Sequence, residues 1–119
     1  EVGSYLKSSI KLATEAGIKH ESIAIDPGIG FGKTVEHNLS LIKNLEYFKK
    51  LNCPLVVGVS RKSFIGKLNH DIPASERLPG SLAAALLAVQ NGASVIRCHD
   101  IKETAQALNV YQALKTVNL

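Results

Sequence analysis

Three short stretches hold the residues that could do chemistry. Asp26-Pro-Gly-Ile-Gly-Phe-Gly-Lys33 offers a carboxylate, a permissive backbone and an amine. Ser60-Arg-Lys-Ser63 offers two hydroxyls and two cations, and Arg97-Cys-His-Asp100 places a guanidinium two residues from an imidazole. A carboxylate such as Asp26 can accept two N–H bonds from a heterocycle, as an aminopyrimidine edge presents them. It can equally close its own turn through an Asx contact. Ser63, at the start of a short helix over Phe64–Leu68, would present a hydroxyl and free backbone N–H groups to a carboxylate or phosphate, or simply cap a solvated basic turn. Arg97 and His99, alternating beyond a strand, can face one anion. Arg97 can instead pair with Asp100.

The first stretch imitates two nucleotide motifs and satisfies neither. A P-loop reads G-x-x-x-x-G-K-[ST]; Gly32-Lys33-Thr34 fits, but Pro27 stands where the first glycine must be. In a G-x-G-x-x-G fingerprint Gly28 and Gly30 fit, and Lys33 takes the third position. The glycines still give a backbone able to turn sharply and to pass close to a ligand.

Each stretch ends a segment that reads as a buried parallel strand: Ser22–Asp26 (SIAID), Leu55–Val59 (LVVGV) and Ser94–Arg97 (SVIR). These are short apolar runs without polar alternation, bounded by turn signals. Helical stripes separate them. Val2, Leu6, Ile10 and Ala13 mark one, closed by Gly17, and Leu41, Leu45 and Phe48 mark a second. Ser81 is placed to cap a third, SLAAALLAVQ, which ends at Asn91-Gly92. Asp100 with Glu103 starts a fourth, with the stripe Ile101, Ala105, Leu108 and Tyr111. His37 falls at a helix start, and His20 and His70 fall in loops.

The order α-β-α-β-α-β-α predicts an α/β fold with a parallel sheet. Asp26 and Ser60 are 34 residues apart, Ser60 and Arg97 are 37 apart. Eight units of that length make about 280 residues, the size of a (β/α)8 barrel. Three strands cannot close one. The expectation is therefore part of a barrel: three βα units plus a leading helix, in one domain over residues 1–119 with no internal linker. Ligand sites of such folds lie beyond the carboxyl ends of the strands, which would bring the three stretches to one rim.

Composition narrows the class. The chain has 119 residues, a formal net charge of +4 and 45% apolar residues, an ordinary globular profile. Eleven Lys and three Arg are scattered, with no basic run longer than Lys49-Lys50, which argues against nucleic acid as a partner. No apolar run reaches membrane-spanning length, and EVGSYLKSSIK lacks the features of a signal peptide. Cys53 and Cys98, far apart, suit neither a metal nor a disulfide framework, so a reducing cytoplasm is expected. With no Met and a first segment that already reads as helix, the chain is expected to be a piece of a longer one.

Taken together, DPGIGFGKT (26–34), VGVSRKSFIG (57–66), ASERLPGSLAAALLAVQNGA (74–93) and IRCHD (96–100) resemble the dihydropteroate synthase family over almost the whole chain. The match is to that family's C-terminal half. The resemblance implies a transferase of folate biosynthesis and a sulfonamide target. It joins p-aminobenzoate to 6-hydroxymethyl-7,8-dihydropterin pyrophosphate and releases pyrophosphate, with Mg²⁺. It implies that Asp26 binds the pterin's amino-pyrimidine edge, that Lys62 contacts the pterin carbonyl and ring nitrogen, and that Gly58 lets the ring approach the backbone. Phe31 would pack on the aminobenzoate ring, Ser63 would hold its carboxylate, and Arg97 and His99 would take the pyrophosphate. Ser60 and Arg61 would shape the site. No metal ligand is assigned to these residues, because the family's metal-binding Asn and its mobile loops belong to the N-terminal half. The resemblance further implies a homodimer through the helices near Ser81–Gln90 and Ile101–Thr116, and turnover is not expected from residues 1–119 alone. Two alternatives stay open on the residues: a pterin-binding methyltransferase barrel, whose pattern has neither Ser-Arg-Lys-Ser nor Arg-x-His, and a non-catalytic half-barrel that only oligomerises.

Overall fold

The computed structural model describes residues 1–117. Helix α1 spans Val2–Glu15. Its expected stripe faces inward, with Leu6 buried and Val2 and Ile10 packed on the core. The helix ends at Ala16, where Gly17 takes φ +101°. Ile18 N donates to Ala13 O (3.0 Å) and Gly17 N to Thr14 O (3.1 Å), the paired bonds of a Schellman ending. Helix α2 (Val35–Lys43) is capped by Thr34, whose hydroxyl accepts from His37 N at 3.1 Å. A 3₁₀ turn over Leu45–Leu51 continues its apolar face, burying Leu45 and Phe48.

The sheet is parallel, as expected, but smaller. Strand β1 is Val56–Gly58 and strand β2 is Val95–Arg97, in register Val56↔Val95, Val57↔Ile96 and Gly58↔Arg97. The strand expected over Ser22–Asp26 is reduced to a single bridge, Ile25↔Leu55. Ile25 N donates to Pro54 O (2.9 Å) and Val56 N to Ile25 O (2.8 Å). The next donors on either side would be Pro27 and Pro54, which have no N–H to give. The segment Leu55–Val59 is buried as expected, with Leu55, Val57 and Val59 at 1% exposure or less. The expected burial of Ser94–Arg97 fails: Val95 is 48% exposed, because β2 is hydrogen-bonded only to β1 among the described residues.

Helix α3 spans Ser63–Lys67 and α4 spans Leu78–Gln90. Ser81 does not cap α4. The helix begins three residues earlier, with Pro79 in its first turn, where a missing N–H costs nothing. Its end is as expected: Gly92 has φ +115°, and Ala93 N donates to Ala88 O at 2.9 Å. Helix α5 (Ile101–Thr116) starts after Asp100. The Asp100 carboxylate makes no cap bond; it is engaged by Arg61. The expected stripe of α5 is also rotated. Ile101 is 71% exposed, whereas Thr104 is buried, so the packed face runs through Thr104 rather than Ile101 and Ala105. Among the described residues no helix is long and apolar enough to cross a membrane.

Candidate functional site

The loops that follow Ile25, β1 and β2 meet at the carboxyl ends of the strands. The first loop is held by its own backbone. Gly28, Gly30 and Gly32 all take positive φ. Gly28 N donates to Asp26 Oδ1 (2.8 Å), so Asp26 does close an Asx turn. That uses one carboxylate oxygen; the other lies 3.3 Å from Arg97 Nη1. Lys33 Nζ donates to Gly28 O (2.7 Å) and Phe31 O (3.1 Å).

Lys62 reaches across from the second loop. Its Nζ donates to Ile29 O at 2.9 Å and stands 4.3 Å from the centre of the Phe31 ring, a cation–π approach. Desolvation lowers the Lys62 pKa, and the nearby Arg97 charge lowers it further against the opposing pull of Asp26. Phe31 itself is 65% exposed. Ser63 opens α3 and is exposed.

The other pairings differ from those expected. Arg97 does not pair with Asp100; it turns to Asp26. Asp100 receives Arg61 through two bonds, Nη2 to Oδ1 at 2.7 Å and Nε to Oδ2 at 3.2 Å. The Arg61 hydrogen bond holds the Asp100 carboxyl below its ordinary range and pushes Arg61 up. His99 is turned to Ser60, whose Oγ accepts from His99 N (3.1 Å) and lies 2.9 Å from His99 Nδ1. Arg97 and His99 thus engage different loops. Above Gly58, a Cβ would stand 2.7 Å from Arg97 Nη2, so the space that this glycine leaves is filled by the Arg97 guanidinium.

The structure therefore brings together Asp26, Gly58, Lys62, Phe31 and Arg97, while Ser60 with His99 and Arg61 with Asp100 form separate pairs and Ser63 is exposed at the start of α3. Three contributors escaped the sequence reading. Asn38 is buried, and its Oδ1 accepts from Gly30 N at 2.7 Å. It shares a face with Ile42 and Leu45 at helical spacing, a signal that could have singled it out. Arg77 and Ser81 hold the backbone of Arg61, and no local spacing announces that. An open groove of about 890 Å³ flanks the rim, between α1 and the first loop. It touches Asp26 and Phe31 but none of Lys62, Ser63, Arg97 or His99, so it lies beside the cluster rather than over it.

This geometry has close relatives. The family model described as pterin binding enzyme matches residues 1–99. A dihydropteroate synthase of Escherichia coli (strain K12) is 50% identical over 113 residues, covering 95% of this chain and 40% of that protein. Two solved structures of the Xanthomonas albilineans dihydropteroate synthase superpose with a TM-score of 0.96 at 41% identity over 98% of this chain. One is in complex with 7,8-dihydropteroate and the other with 4-aminobenzoic acid; the match takes in 45% and 43% of those chains, respectively. The chain spans less than half the length of these relatives. Its parallel α/β order is that of part of a (β/α)8 barrel. With five-sixths of its length inside the family model and a rim that gathers a carboxylate, two cations and an aromatic ring, the chain belongs to the pterin-binding enzymes.

Proposed function

We propose that these residues form the strand-end half of a dihydropteroate synthase site. The reaction displaces pyrophosphate from 6-hydroxymethyl-7,8-dihydropterin pyrophosphate by the amine of p-aminobenzoate. A C–N bond forms at the pterin methylene and the C–O bond breaks. Pyrophosphate leaves with the bonding electron pair, and the amine loses a proton. An arylamine is a weak nucleophile, so the protein's contribution is to help the leaving group depart and to fix the pterin.

The observation that carries this reading is the Asp26–Arg97 contact at 3.3 Å, with Lys62 and Phe31 beside it. Both partners are partly open to solvent. Each has a stronger partner in the ligand: Asp26 takes the N–H edge of the pterin, and Arg97 takes the pyrophosphate. Moving Arg97 off Gly58 frees the flat backbone that the pterin ring needs. Lys62 donates to the pterin carbonyl and ring nitrogen, its lowered pKa marking a desolvated amine. Phe31 packs on the aminobenzoate ring, and Ser63, at the start of α3, receives its carboxylate. His99 joins Arg97 on the pyrophosphate, oriented by Ser60, and Arg61 shapes the loop that carries Lys62 and Ser63.

Mg²⁺ would neutralise pyrophosphate charge when bound. The described residues offer no group of three or more His, Cys, Asp or Glu that could hold it. They do not fit a resident metal on their own, and no step here runs through one. We place the reaction in the cytoplasm, with small-molecule substrates and neither nucleic acid nor membrane as partners. Sulfonamides would compete with p-aminobenzoate. Exposed Leu87 on α4 and Val110 and Leu114 on α5 support a homodimer through these helices.

Titration with the dihydropterin pyrophosphate tests the reading. Asp26→Asn should weaken binding by about one to two orders of magnitude, from about 1.5–3 kcal/mol per charged hydrogen bond. An unchanged affinity in the variant overturns the assignment.

A further inference from the structure

Arg61 is a non-glycine residue at φ +56°, a conformation that L side chains rarely adopt. Three separate contacts impose it. The backbone N–H donates to Ser81 Oγ at 2.8 Å. The backbone carbonyl accepts from Arg77 Nη1 at 2.9 Å. The guanidinium is held by both oxygens of Asp100. The first two supports are themselves joined, because Ser81 Oγ donates to Arg77 O at 2.8 Å. Arg77 is fixed in turn by Nε donating to Ile72 O at 3.0 Å. Gly66 leaves it room: a Cβ there would stand 2.7 Å from Arg77 Nη2. Ser81 is 5% exposed, so the hydroxyl has little water to fall back on.

We propose that Ser81 and Arg77 of the α4 start are positioning residues that act through Arg61. They lock its left-handed turn, and so set the direction in which the next two residues, Lys62 and Ser63, leave the strand end. The proposal rests on the site reading above for what Lys62 and Ser63 bind. This role explains why the α4 serine is not spent on capping its helix. Its hydroxyl instead accepts the Arg61 backbone N–H of the left-handed turn.

The test is made in a chimera in which residues 1–119 replace the matching segment of the Escherichia coli dihydropteroate synthase, with Ser81→Ala and the conservative Ser81→Thr. Calorimetry reads p-aminobenzoate and, separately, inorganic pyrophosphate; amide hydrogen exchange reads Arg61, Lys62 and Ser63. Ser81→Ala should weaken p-aminobenzoate by about tenfold, the size of one lost buried hydrogen bond, and leave pyrophosphate within about twofold because its ligands lie on the β2 side. The Arg61 amide should exchange at least about tenfold faster for the same reason, and Ser81→Thr should restore both readouts. Ser81→Ala with Arg61 exchange and p-aminobenzoate affinity like the parent overturns the role. Equal loss of both ligands also overturns it, since that marks general unfolding. A parent chimera that melts cooperatively yet binds no p-aminobenzoate refutes the site reading instead, and Arg61 exchange then decides the positioning role by itself.

Discussion

The first loop and the loop after β1 solve the same problem in opposite ways. Both must aim polar groups over the strand ends. In the loop after β1 the protein satisfies itself: the Arg61 backbone and guanidinium are held by Ser81, Arg77 and Asp100, and Ser60 by His99. In the first loop the backbone is fixed by Asn38, Lys33 and the Asx turn. Among the described residues, however, the outward oxygen of Asp26 meets only Arg97, whose side chain is 58% exposed. Exposed ion pairs contribute little to stability, so that contact can be exchanged for a ligand at small cost. The difference separates the Arg61 clamp, whose partners are within the protein and which positions the loop, from the Asp26–Arg97 pair, which is open to exchange with a ligand.

That contrast can be broken from either side. On the ligand-facing side, Arg97→Ala should weaken inorganic pyrophosphate by about tenfold to a hundredfold, the range for a lost charge-assisted contact. The melting temperature should hardly move. A large loss of stability with no loss of pyrophosphate affinity, measured by calorimetry and thermal melting, would show that Arg97 belongs to the scaffold.

On the scaffold side, the pH dependence should be that of the Arg61–Asp100 pair. The folded-state pKa of Asp100 is depressed below its unfolded value. Its contribution to stability is therefore present above the ordinary carboxylate range and lost as pH falls through the folded pKa. Melting curves from pH 7 to pH 2 should show the parent and Asp100→Asn far apart at neutral pH and converging in acid, a smaller effect than Arg97→Ala has on binding. A gap that stays constant down to pH 2 would remove Asp100 from the clamp.

Much of this arrangement was written in local sequence, and the exceptions have physical causes. The stripe of α1, the glycine endings at Gly17 and Gly92 and the positions of the strand ends follow from periodicity and from turn chemistry. Pro27 and Pro54 carried the shortened first strand just as plainly, since neither can donate to a ladder; the apolar run SIAID masked them. The rotated face of α5 and the exposure of Val95 depend on which neighbours lie alongside, which spacing along the chain does not encode. Ion pairing is the clearest case. Arg97 and Asp100 are three residues apart, yet each found a partner more than 35 residues away in Asp26 and Arg61. Ser81 looked like a helix cap because serine near an apolar helical run usually is one. Its actual use required a positive-φ turn 20 residues upstream. The roles given to Asp26, Lys62, Phe31, Ser63, Arg97 and His99 rest on the family resemblance, and the structure adds the proximity of Asp26, Lys62, Phe31 and Arg97 rather than their ligands.

The central claim, that residues 1–119 supply one half of a dihydropteroate synthase site, is tested most directly by exchange. These residues would replace the matching segment of the Escherichia coli dihydropteroate synthase, and 7,8-dihydropteroate formation would be measured. The chimera should form the product, and Asp26→Asn within it should lower kcat/KM by about one to two orders of magnitude. A chimera that melts cooperatively yet forms no product, or one whose rate is indifferent to Asp26→Asn, would contradict the account.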